Sequence, residues 1–143
     1  YLGFSDIISF EKDSKIATLA QEKMRDLFNR KNIIRNDNFP STEMMQSDLL
    51  ILVNCAYKDY AQSKQEYKDL MLDYYESAGC PKYFIMEVID SSYTIPDEEF
   101  PLHIRLSRDD VKSIFPNSRI QEWNTYVYPV NSKSKTLYLI TKI

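Results

Sequence analysis

The chain has 143 residues, of which 43% are apolar and 27% charged, with a net charge of −3, two cysteines and two glycines. This suits one folded domain and excludes a disordered chain, a disulfide-stapled mini-domain and a four-thiolate zinc site. No apolar run nears the ~20 residues of a membrane span, and the acidic balance lacks the basic footprint of a whole-domain nucleic-acid binder.

In chain order, residues 4–10 (FSDIISF) are short, β-branched and aromatic, and read as a strand. Asp13 or Ser14 then caps a helix over 14–31. Its Ile16, Leu19, Ala20, Met24, Leu27 and Phe28 recur at three- and four-residue spacing and form a face that belongs in a core. Pro40-Ser41-Thr42-Glu43 signals a second helix start, and Gly79 a helix stop. Between them, the apolar run 49–53 (LLILV) fits either a strand or a helix buried all round. One helix over 42–78 would be ~55 Å long, more than a domain of this length is wide. Two helical pieces broken near Asn54 are therefore preferred. The second, 56–77, is amphipathic, with Tyr60, Tyr67 and Tyr74 on one face.

The later chain is punctuated by proline. Residues 82–89 (KYFIMEVI) and 102–106 (LHIRL) read as strands, Ser107 caps a short helix ending at Phe115, and 122–128 with 136–143 form an antiparallel hairpin. Pro129 cannot donate to a ladder, which places that strand at an edge. The expected fold is a single α+β domain over 1–143, an amphipathic helical N-terminal half packed on a mainly antiparallel C-terminal sheet. The rival is an α/β order with strands 4–10, 48–53 and 82–89.

Catalytic signatures are few. Two glycines cannot build a phosphate-cradling loop, and neither HExxH nor an EF-hand pattern occurs. His103 is the only histidine, and nothing around Cys55 or Cys80 marks either as its nucleophile partner. The acidic run Asp97-Glu98-Glu99 reads as a solvated turn. The segment Phe4-Ser5-Asp6-Ile7-Ile8-Ser9-Phe10 resembles the first strand of class III nucleotide cyclases, F-x-D-[IL]-x-x-F. Asp48, before Leu49-Leu50-Ile51-Leu52-Val53, stands where that family places its second metal carboxylate. The resemblance implies Asp6 and Asp48 sharing Mg²⁺ in a divergent or inactive cyclase-like domain, although Ser47 replaces the family's hairpin glycine.

Charge is unevenly distributed: residues 41–100 hold 4 Lys/Arg against 12 Asp/Glu, whereas residues 101–143 hold 7 against 3. On the hairpin, Trp123 and Val127 are expected to face the core. Tyr126, Tyr128 and Tyr138, with Lys133 and Lys135, are expected outward as an aromatic–basic surface for a protein partner or a second copy. Specific duplex DNA binding is not expected, because the acidic block opposes phosphate attraction. The functional expectation is a non-catalytic interaction or accessory domain without a cofactor, the cyclase-like reading being the alternative. Tyr1 in place of Met suggests a processed or trimmed start or a piece of something larger, and the sparse cysteine use suggests the cytoplasm.

Overall fold

The structure, a computed structural model, describes residues 6–40, 45–53, 58–128 and 133–143, with the side chains at 58, 125–128 and 133–134 outside that description. The chain divides into two compact units, Tyr1–Glu43 and Met44–Ile143.

In the first unit, β1 (Ser9–Phe10) pairs in parallel with β2 (Ile34–Arg35), and α1 (Ser14–Phe28) connects them. The Asp13 side chain accepts the amides of Lys15 and Ile16 at 2.9 and 3.0 Å, the capping expected from sequence. At the other end the chain turns out of the helix at Asn29, in the left-handed region at φ 52°, three residues short of the expected 31–32 boundary. Gln21 fastens the return segment: its Oε1 accepts the amides of Ile33 and Ile34, and its Nε2 donates to the Arg30 carbonyl. The apolar face of α1 is not core. Ile16, Leu19, Leu27 and Phe28 are all more than half exposed, and Ala17 is the helix's buried residue. Two strands of two residues each offer too little sheet to cover that face.

The second unit is built on a mixed sheet ordered β3 (Leu49–Leu52), β4 (Tyr83–Asp90), β7 (Lys133–Lys142), β6 (Ser118–Tyr128). Strands β3 and β4 run parallel, Leu49 opposite Tyr83 and Leu52 opposite Met86, while β7 is antiparallel to both of its neighbours. Beyond the end of β3, the short β5 (Arg105–Leu106) takes over the same flank of β4, again in parallel. Among the described residues there are three α-helices and a mixed sheet: β4, β7 and β6 form the antiparallel part expected of the C-terminal sheet, whereas β3 and β5 join β4 in parallel, which the expected α+β arrangement lacked. The preferred helix through 49–53 is corrected to a strand. A short run of successive apolar residues fits a strand and a buried helix alike, and the pairing with β4 decides between them.

The helix α2 (Lys64–Ser77) crosses from β3 to β4, with the Ser63 side chain accepting the Glu66 amide at its start. Tyr67, Met71 and Tyr74 on α2 are buried, together with Val111 and Ile114 of α3 (Arg108–Ile114). On one sheet face Phe84, Met86, Val88, Tyr138 and Ile140 are likewise buried. Phe84 meets Tyr75 and Phe115 at ring-centroid distances of 6.0 and 5.7 Å, which ties sheet and helices into one core. The opposite face, with Ile51, Tyr83 and Trp123, is half open.

Gly79 closes α2 at φ +82°, and a Cβ there would lie 2.5 Å from the Met45 carbonyl oxygen. Segment 45–47 runs against that helix end, with the Met45 amide donating to Ser77 and the Ser47 amide and hydroxyl to Ala78. Gly79→Ala is therefore expected to lower the urea midpoint by the equivalent of more than ~1 kcal/mol, from left-handed strain and steric overlap together. An unchanged midpoint would show that the 45–47 segment yields freely. Among the described residues, no helix is long and apolar enough to cross a membrane.

Candidate functional site

In open sheets with parallel strands, ligands bind beyond the carboxyl ends of those strands. Two sets of residues occupy such ends here, one in each unit.

In the first unit the carboxyl end of β1 delivers Glu11, which is half-buried. Its amide donates to the Arg35 carbonyl, and its Oε1 accepts the Asp13 amide at 2.9 Å. The carboxylate is thereby held at the strand end with its second oxygen outside that bond. Beside it, the Asn36 side-chain amide donates to the carbonyls of Glu11 and Lys12 at 2.9 and 3.0 Å, fixing the turn after β2 to the turn after β1. The two ends form one rigid rim.

In the second unit β4 ends at Asp90, which accepts from the Thr136 hydroxyl at 3.2 Å and from the Ser92 amide at 2.8 Å. The loop that follows, 91–104, is organised by a single cation. Arg105 is 1% exposed and donates to the carbonyls of Tyr93, Ile95 and Phe100, with its guanidinium 4.4 Å from the Tyr93 ring centroid. The Tyr93 hydroxyl donates to Asp97, so the acidic run expected as a solvated turn is partly an internal anchor. Near Asp90, burial together with the Asp90 and Glu122 carboxylates pushes the Tyr138 hydroxyl up to about 12.

A clamp joins α2 to α3. Lys68 and Lys64 approach Asp110 at 2.8 and 3.3 Å, and Asp110 closes a capping box with Ser107. Burial works against its ionisation, but Lys68, Ser107 and Lys64 outweigh it and hold the carboxyl well below the usual carboxylate range. A depressed folded-state pKa contributes stability above the unfolded value of ~3.9 and loses it as pH falls through the folded value. We expect Asp110→Asn to flatten the acid limb of the stability curve below about pH 4. An acid limb identical to that of the parent protein would show that the clamp is not coupled to folding.

The residues singled out from sequence fall elsewhere. Asp48 is exposed and leads into the amino end of β3, opposite to the end at which such sheets bind ligands, with its carbonyl accepting the Tyr83 amide. Asp6 is exposed in the other unit. Among the described residues no group of three or more His, Cys, Asp or Glu could hold a metal ion.

The expected aromatic–basic surface also changes. Tyr138 is 1% exposed on the helix-covered face, and Lys135 is buried against Glu87 at 3.0 Å, whereas Trp123, expected inward, is 48% exposed. Alternation establishes which residues share a face but not which face is covered, and a register shift between Asn124 and Tyr126 interrupts the alternation itself. Tyr126, Tyr128 and Lys133 have their backbones in β6 and β7, and their side chains lie outside the described residues. Sequence reasoning missed Glu11 and Arg105. An acidic residue directly after the first strand was a usable signal for Glu11. Arg105 carried none beyond its place in LHIRL.

No family model matches the sequence, and no curated relative does. Solved structures do match. Magnesium protoporphyrin IX methyltransferase from Synechocystis PCC 6803 with bound S-adenosylmethionine (SAM) aligns over 96% of this chain and 60% of its own, at 12% identity and a TM-score of 0.66. A SAM-dependent methyltransferase from Clostridium acetobutylicum aligns over 97% of this chain and 76% of its own, at 10% identity and a TM-score of 0.66. A third, from Methanosarcina mazei, aligns over 96% and 82%, at 10% identity and a TM-score of 0.62. The chain thus spans about 60% of the length of the Synechocystis enzyme. At these identities the likeness shows the fold: the α/β fold of SAM-dependent methyltransferases. It overturns the expectation of a non-catalytic, cofactor-free interaction domain and that of a cyclase-like one.

Proposed function

We propose that the chain serves SAM-dependent methyl transfer. The observation that carries this reading is the shared fold over 96% of the chain with an enzyme that holds SAM. The residues present fit the cofactor at its ribose end. A carboxylate at the end of a strand in a nucleoside-binding α/β sheet accepts the ribose hydroxyls, and Glu11 occupies such an end, oriented through its bond to the Asp13 amide.

When bound, the cofactor supplies an electrophilic methyl group on a sulfonium, transferred by in-line displacement to a nucleophile. The chain's own contribution is positioning and exclusion of water, which lower the barrier by fixing the reacting geometry beforehand. Glu11 holds the nucleoside end. Within the second unit, taken by itself, Arg105 stiffens the loop 91–104 that follows the carboxyl end of β4. Tyr138, with its hydroxyl at about 12, stays protonated at neutral pH and does not act as a base.

Equilibrium dialysis against methyl-labelled SAM tests the reading. Saturable binding is expected, and Glu11→Gln should weaken it about 10- to 100-fold, the worth of a hydrogen bond to a charged group. An unchanged melting temperature in the variant would separate loss of a ligand contact from loss of folding. Absence of saturable binding up to millimolar cofactor, or binding indifferent to Glu11→Gln, would sink it.

A further inference from the structure

We draw no further inference here: the strongest candidate, the half-open apolar face of the five-stranded sheet around Ile51, Tyr83 and Trp123, carries nothing because nothing in the structure shows what covers it.

Discussion

Arg105→Met is expected to destabilise the protein by about 3–5 kcal/mol, since it removes several hydrogen bonds donated by a buried charged group, each worth about 1.5–3 kcal/mol. The guanidinium is 1% exposed and donates to three backbone carbonyls of one loop. Its removal leaves acceptors that must find water or stay unpaired, at about 1–3 kcal/mol for each one stranded. Methionine restores much of the volume, so the loss reports on hydrogen bonding more than on a cavity. Arg105→Lys should recover only part of it, since one ammonium on a flexible stem cannot reproduce the planar fork that spans Tyr93, Ile95 and Phe100. Urea denaturation of the three proteins provides the measurement. A loss below ~1 kcal/mol for Arg105→Met would mean that loop 91–104 resolvates freely and that the cation does not organise it.

A comparable loss is expected from half of the Glu87–Lys135 pair. Their side chains are 11% and 10% exposed, on neighbouring strands one diagonal step apart, with Glu87 opposite Leu137 and Lys135 opposite Ile89. Glu87→Leu alone removes the carboxylate that faces a buried ammonium at 3.0 Å and should cost about 3–5 kcal/mol. Adding Lys135→Met should restore most of that stability, because an apolar pair of similar volume avoids the desolvation of both ions. The double-mutant cycle separates this from simple mispacking: a double variant as unstable as the sum of the single variants would show that the charges do not act as a pair.

The legible parts of the fold were those written in local chemistry. Asp13 and Ser107 announced their helices because a short side-chain oxygen before an apolar repeat has little else to bond. The β6–β7 hairpin and β4 announced themselves by β-branched and aromatic runs between turn residues. What stayed illegible depended on neighbours. Leu49–Leu52 is a strand only because β4 lies beside it, and Leu27 is exposed although its spacing is that of a core residue. The candidate site followed the same division. Glu11 sits where a strand end meets a helix cap, a place the sequence marks. Arg105 acts through carbonyls five to twelve residues upstream, and its role follows from the path of a loop rather than from any motif.

The pairing pattern of the second unit also orders events in time. Strands β6 and β7 are separated by only four residues in sequence and can pair on the microsecond scale of hairpins. Strands β3 and β4 can meet only after the intervening chain, which contains α2, has been drawn back across the sheet, and that loop entropy is lost before any ladder bond compensates it. The C-terminal hairpin is thus the natural template, with β4 added to β7 and β3 arriving last. During synthesis the ribosome releases these strands in the reverse order. The apolar run Leu49–Leu52 therefore emerges well before β4, the strand it pairs with, and its backbone groups wait for water or another partner while translation continues.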